Sequence, residues 1–357
     1  MTVEYRGGGD ARVPRLDGLR AVAILLVIAG HVGYYTFGRG RVGELGGLGV
    51  LLFFVLSGYL ITGLLQREQL ATGRIDLRAF YARRALRILP AFWVFMAVVC
   101  TLMLLGVVTD ATWKAVLACL LFVRNWAGRG QTLSHIWTLS LEEQFYAVWP
   151  AVLVGVGTRR ALGVAAGVAL ACAAWRGYAI ARRLYPYESD VFYLRTDFRM
   201  DSILVGCCLA LATARRAYRE RLCAVFRALP LRLMVPALLA WVLTASVVES
   251  LLPVYLTVET LLAVAVLGRV LVGGGIDTRA LEHPVMTGIG RLSYSIYLWQ
   301  QPFLTRVHAG PGVVRALPAA LAGIAATSLA SYFCIERPAL AFRARWSRVA
   351  LVPGGVA

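Results

Sequence analysis

Apolar blocks of about twenty residues, the length a helix needs to cross the hydrocarbon core of a bilayer, recur from residue 18 to residue 336. A water-soluble chain of 357 residues would divide into two domains joined by polar linkers. Here 59% of residues are apolar, 16% are charged and the mean hydropathy is +0.69, so lipid is the solvent for most of the chain. The expected fold is all-α: a polytopic transmembrane helix bundle of about ten spans with both termini cytoplasmic. The formal charge of +18 does not indicate nucleic-acid binding, because the basic residues fall between apolar blocks and no basic stripe interleaves with aromatics. Arg20 abuts the first apolar stretch, Ala21 to Phe37, and no small-residue cleavage site follows it. That stretch is therefore expected to stay as a signal anchor. The cysteines show no C-x-x-C spacing and most lie in apolar runs, so neither a disulfide framework nor a metal site is expected.

The candidate spans are 21–37, 46–66, 88–108, 139–157, 161–180, 198–213, 233–249, 254–272, 287–306 and 315–335. One further stretch, 114–124, is short and runs into the polar segment Arg124 to Thr132. Charge decides whether it crosses, because cytoplasmic loops collect Arg and Lys. If it crossed, the six arginines of 214–232 would move outside. It is therefore read as part of an outer or re-entrant segment, 109–138, whose backbone is covered by protein.

An ionisable group at membrane depth costs several kcal/mol unless it meets a cavity or a partner, so four places stand out. Arg20 and His31 are eleven residues apart, about 16 Å along a helix. The arginine then sits at the cytoplasmic end of the first span and the imidazole near mid-bilayer, able to exchange a proton near neutral pH. A core histidine bonded to a neighbouring helix is the competing reading. Arg84 and Arg87, spaced i, i+3 at the cytoplasmic mouth of span three, share a face suited to clamping phosphates, or act as an anchor at the inner boundary. Glu142 and Glu143, after Trp137, open a span at its outer boundary. Adjacent positions point about 100° apart, so only one carboxylate can face a given cavity. Asp197 and Asp201 are four apart and share a face, whereas Arg199 points elsewhere and needs a partner on another helix; a packing network is as good a reading as a site. Tyr294 belongs to a Ser/Tyr cluster inside span nine. No G-x-S-x-G elbow, H-E-x-x-H, P-loop or H-x-x-x-x-D signature supports a nucleophilic-serine or metal mechanism.

In order along the chain, these segments resemble the acyltransferase family 3 of integral membrane O-acyltransferases. The matching stretches are Arg15 to Arg20, the R-x10-H pair Arg20 and His31, Gly49 to Ile61, the Arg84-x-x-Arg87 pair, and Trp137 to Tyr146. They continue with Asp197-x-Arg199-x-Asp201, Gly290 to Pro302, and Ile335 to Pro338. Thr138 stands where the family usually has Ser, and Gln300-Gln301 where it often has His-Gln. The resemblance implies transfer of an acetyl or other short acyl group from cytosolic acyl-CoA, acetyl-CoA foremost, to a hydroxyl of a carbohydrate or glycosylated acceptor. It implies no bound cofactor, a multi-pass location in the cell inner (plasma) membrane, and leaves a homo-oligomer open. In that reading Arg20, Arg84 and Arg87 bind acyl-CoA and His31 is the general base, with Glu142 or Glu143 orienting it or the acceptor. Asp197, Arg199, Asp201, Tyr294 and Trp137 serve the acceptor or its supporting network, and Tyr294 is a candidate for a covalent acyl-enzyme. The chain is expected to be one integral membrane acyltransferase domain, 1–357, with short cytoplasmic tails 1–17 and 337–357 and no fused extracytoplasmic domain. The rival from another class is a membrane carrier or flippase for a glycolipid or small anion, whose path the same charges would line. Against it, neither paired broken helices nor internal symmetry is visible in the sequence.

Overall fold

The computed structural model describes residues 13–37, 41–127, 130–185, 191–245, 252–273, 276–307 and 313–343. All regular structure among them is helical, as expected. The helices are α1 (Pro14–Phe37), α2 (Arg41–Thr72), α3 (Leu77–Leu104), α4 (Trp113–Leu120), α5 (Ile136–Ala181), α6 (Val191–Leu194) and α7 (Thr196–Ala214). They continue as α8 (Arg216–Ala228), α9 (Leu231–Ala245), α10 (Leu252–Val272), α11 (Ile276–Arg279), α12 (Pro284–Leu304), α13 (Val313–Ser331) and α14 (Arg337–Arg343). Among the described residues six helices are long and apolar enough to cross a membrane, and the pair α8 and α9, bent by 82°, would make a seventh.

The expected count of about ten differs from this for three reasons. First, α5 has 46 residues, about 69 Å of helix, far more than one crossing of a core about 30 Å thick. It is interrupted at Gly157, whose φ of 72° and ψ of 155° are not helical. A positive φ is open to glycine without steric cost, so the break falls there, beside the turn placed at 158–160 by sequence. Second, α7 and α12 are helical where spans were expected, but both are more polar than the six: α7 carries Asp197, Arg199 and Asp201, and α12 carries Arg291, Gln300 and Gln301 among Ser and Tyr residues. Third, the expected span 233–249 is described only to Ala245, as the 15-residue α9; 246–251 lie outside the described residues.

The stretch 114–124 forms only the eight-residue α4, about 12 Å long, so it does not cross. Thr112 caps it by accepting from the Ala115 N–H at 3.2 Å. The chain then returns through turns to α5, and protein groups satisfy the polar run: Arg124 donates to the carbonyls of Ala127 and Gly130.

Two boundaries move. α1 starts at Pro14, so the last four residues of the expected tail 1–17 are helix, and residues 337–343 of the other tail form α14; 1–12 and 344–357 lie outside the described residues. α3 starts at Leu77, with Asp76 accepting from the Ala79 N–H, well before the expected span start at 88. Arg84 and Arg87 therefore sit two to three turns inside α3.

Close helix crossings set the frame around the site. A Cβ at Gly58 would overlap the Ile203 carbonyl of α7, and one at Gly206 would overlap the Val55 carbonyl of α2. Gly290 of α12 meets the Asp17 backbone of α1 in the same way, and Gly30 of α1 meets Gly46 of α2. In lipid, apolar burial does not drive helices together, so association depends on backbone approach of this kind.

Candidate active site

A cavity of about 340 Å³ opens where α1, α2, α3, α5 and α12 converge. Its charged lining comes from Asp17 and Arg20 of α1, Arg67 of α2, Arg84 and Arg87 of α3, and Glu142 of α5. Phe53, Leu56, Leu60 and Leu64 give α2 an apolar wall, and Thr138, Ser293, Tyr294 and Tyr297 line it from α5 and α12. The i, i+3 spacing of Arg84 and Arg87 does put both on one face.

Arg84 is held tightly. Its Nε and Nη2 donate to Glu143 Oε1 at 3.0 and 2.9 Å, Glu142 Oε2 lies 3.8 Å away, and its guanidinium lies 3.8 Å over the Tyr146 ring. Ser57 donates to the other Glu142 oxygen at 2.7 Å. Only Glu142 of the adjacent pair lines the cavity, as the 100° separation requires. The sequence reading put these carboxylates at an outer boundary and Arg84 at the inner mouth. Contact between them shows that the two cannot lie at opposite boundaries; α5 begins at Ile136 and places Glu143 about 10 Å along it.

Arg20 is different: no side-chain hydrogen bond or ion pair to it is found among the described residues, although it lines the cavity. The carboxylates of Asp17 and Glu142, which line the same cavity, act on it through their charge without a direct contact.

His31 lies about 16 Å beyond Arg20 on α1 and about 9 Å short of Phe37. It is not among the residues lining the cavity. The lining ends at Thr138 and Tyr297, whose hydroxyls are 2.6 Å apart, with Tyr297 also donating to the His135 carbonyl at 2.6 Å. One turn further along α12, Gln300 Oε1 lies 3.2 Å from His31 Nδ1. Tyr297 and Gln300, one turn apart on α12, thus connect the end of the lining to the imidazole.

Tyr294 lines the cavity, but its hydroxyl donates to the Ile88 carbonyl at 2.8 Å. Trp137 does not line it; its ring packs edge-on against Phe54, centroids 5.8 Å apart. Asp197, Arg199 and Asp201 also lie outside the lining. Asp197 pairs with Arg195 and accepts from the Trp175 indole, and Asp201 accepts from Arg176 at 2.9 Å, so the two aspartates face α5 together. Arg199 is buried, with its Nε and Nη1 lacking hydrogen-bond partners.

Several polar residues of this part of the molecule escaped the sequence reading. Arg176 is fully buried and ties α5 to α7 and, through Thr257, to α10. An arginine inside an apolar run was the available signal. Gln144, Asn125 and Thr196 form a closed hydrogen-bonded set that fixes the 121–127 turns against α5 and α7. Asp110, in the loop after α3, accepts from Thr132 and from the Gln131 and Thr132 N–H groups. Partial burial raises its pKa, but these hydrogen bonds outweigh that and hold it below the usual carboxylate value.

Several helices of membrane-crossing length around a guanidinium-lined cavity define an integral membrane protein with a charged interior pocket. An acyltransferase-domain family model matches residues 13–335, and the chain belongs to this acyltransferase family. The peptidoglycan O-acetyltransferase OatA of Listeria monocytogenes is 30% identical over 324 residues, covering 82% of this chain and 49% of that protein. The O-acetyltransferase OatA of Staphylococcus aureus is 32% identical over 213 residues, 56% of this chain and 34% of that protein. The chain thus spans about half the length of the first relative and a third of the second. No solved structure matches.

Proposed function

We propose that this protein is a membrane O-acyltransferase that moves an acetyl or other short acyl group from cytosolic acyl-CoA to a carbohydrate hydroxyl. The observation that carries this reading is the cavity, with arginines at one end and its other end connected through Tyr297 and Gln300 to an imidazole. A donor with a polyanionic head on a long thin arm fits such a space: the phosphates pair with Arg20 and Arg87 while the thioester advances along the apolar wall of α2. Arg84, already engaged by Glu143, shapes the site and adds to its positive field. His31 accepts the proton of the acceptor hydroxyl as its oxygen attacks the thioester carbonyl. Direct transfer is favoured over an acyl-tyrosine on Tyr294, whose hydroxyl is committed to a backbone carbonyl. The relatives' names make a cell-envelope glycan, peptidoglycan included, the first acceptor to test.

The reading also places the chain in the plasma membrane, crossing about ten times as a single acyltransferase domain with both ends in the cytoplasm. It needs no bound metal or cofactor. The decisive experiment supplies purified protein in nanodiscs with acetyl-CoA and a glycan acceptor. Free CoA and an O-acetylated product should form together, and His31→Ala should abolish both while the protein keeps its solubilised size and thermal transition. Turnover retained in that variant would remove His31 from the reaction. Movement of glycan across the vesicle membrane without CoA release would replace this reading with a carrier.

A further inference from the structure

The side chains that connect the cavity lining to His31 include an unpaired donor. Gln300 is fully buried, and its amide has two ends with different fates. Oε1 sits 3.2 Å from His31 Nδ1, whereas Nε2 is buried with no hydrogen-bond partner. A buried amide NH2 left unmade costs about 1 to 3 kcal/mol, and such groups in native structures call for an explanation. Its neighbours supply none. Tyr297, one turn before it on α12, is satisfied by Thr138 and the His135 carbonyl, and Gln301 beside it donates to Tyr35, Ser134 and the Gln131 carbonyl.

We propose that Gln300 is a catalytic residue with two tasks: its oxygen fixes the tautomer of His31, and its NH2 stabilises the oxyanion of the transferring acyl group. This rests on the reading of the protein as an acyl-CoA-dependent O-acyltransferase. With Oε1 accepting from Nδ1–H, the proton of neutral His31 is on Nδ1 and the basic lone pair is on Nε2, for which no partner is found among the described residues. The acceptor O–H gives its proton to Nε2 as its oxygen bonds to the thioester carbon, and the carbonyl π pair moves onto oxygen. Gln300 Nε2–H donates to that oxyanion. The intermediate collapses by breaking the C–S bond, and the departing thiolate takes the proton from His31 Nε2. Every proton and electron pair returns, with CoA and ester as products. The free amide end sits where this needs it, one turn past the last cavity-lining residue of α12 and on the imidazole that receives the proton.

The test uses the full chain in nanodiscs with two variants of similar size, Gln300→Met and Gln300→Glu. The first removes both functions, and the second keeps an oxygen for Nδ1–H while removing the donor. Loss of one oxyanion donor lowers kcat by about 10² to 10³. Both variants should fall that far, with the KM for acetyl-CoA within about threefold of wild type, because the nucleotide end of the cavity is untouched. Histidine ¹⁵N shifts, assigned to His31 by comparison with His31→Ala, should show the Nδ1–H tautomer in wild type and Gln300→Glu and its loss in Gln300→Met. A merely structural Gln300 would not separate the two variants in this way. Either variant turning over within threefold of wild type overturns the oxyanion role, and an Nε2–H tautomer in wild type overturns the orienting role. If wild-type protein transfers no acyl group at all, the functional reading fails instead, and the ¹⁵N spectrum still decides what Gln300 does to His31.

Discussion

Removing the Arg84 side chain should cost stability mainly because of what it leaves behind. Glu142 and Glu143 are adjacent, each less than a fifth exposed, and Arg84 is 3.8 and 2.9 Å from them. At an effective dielectric near 20, the 2.9 Å pair alone has a gross attraction of about 5 to 6 kcal/mol. Desolvation of both charges cancels much of this, and breaking a buried pair from one side costs about 3 to 5 kcal/mol. Discounted for partial exposure, Arg84→Gln should lose about 2 to 3 kcal/mol. The double variant Arg84→Gln/Glu143→Gln removes the stranded carboxylate as well and should recover most of that loss. The assay is a double-mutant cycle read by SDS titration of the protein in mixed micelles, with far-UV circular dichroism as the signal. A coupling energy below about 0.5 kcal/mol, with the double variant no more stable than Arg84→Gln, would refute the argument. Arg84 would then be a free cation for substrate, and Glu143 a bystander.

Arg20 should behave differently, since its loss breaks no direct hydrogen bond or ion pair and removes only a longer-range charge from Asp17 and Glu142. Arg20→Gln should leave the SDS midpoint near wild type but raise the KM for acetyl-CoA about tenfold or more, the loss expected of one charge-assisted contact to phosphate, with the deficit shrinking in high salt. Gly206→Val should weaken the α2–α7 crossing, because its side chain meets the Val55 carbonyl; overpacking costs about 1 to 3 kcal/mol, read in the same titration. Asp110 has a folded-state pKa below the 3.8 of a free carboxyl, so its ionised form stabilises the loop above that value. That stability is lost as pH falls through the lower folded value. Asp110→Asn should therefore speed amide exchange of Gln131 and Thr132 at neutral pH, and the difference from wild type should vanish once pH has fallen through the lowered folded value. A difference that persists there would mean the loop does not depend on the carboxylate.

The sequence was legible where one residue type has one physical cause. Stretches long and apolar enough for lipid became helices, and 114–124, read as non-crossing, holds a helix of only eight residues. The 100° rule separated Glu142 from Glu143, and i, i+3 spacing joined Arg84 to Arg87. It was illegible where a residue's meaning depends on a distant partner. Nothing in the run around Trp175 says that Arg176 will find Asp201, and nothing local says that Glu143 of α5 will occupy Arg84 of α3. Helix boundaries failed for a related reason. The expected starts were set by where hydropathy rises, but α3 begins at Leu77 after its Asp76 cap, eleven residues before the expected span start, so Arg84 and Arg87 lie within the helix.

This shift divides labour among cations that look equivalent in the sequence. A guanidinium inside a bundle either neutralises a carboxylate permanently or waits for an anion that comes and goes, and a single arginine cannot do both well. Arg84 has taken the first course: two carboxylates and an aromatic face surround it, so a phosphate would have to displace Glu143. Arg20, on the helix that also carries His31, lines the cavity with no direct hydrogen bond or ion pair of that kind among the described residues. Because α1 is continuous from Pro14 to Phe37, its guanidinium and the imidazole are held a fixed sixteen ångströms or so apart, eleven residues of rise. A donor whose reacting carbon lies at the end of a long flexible arm can satisfy both ends of that ruler at once, whereas a compact anion would reach only the first.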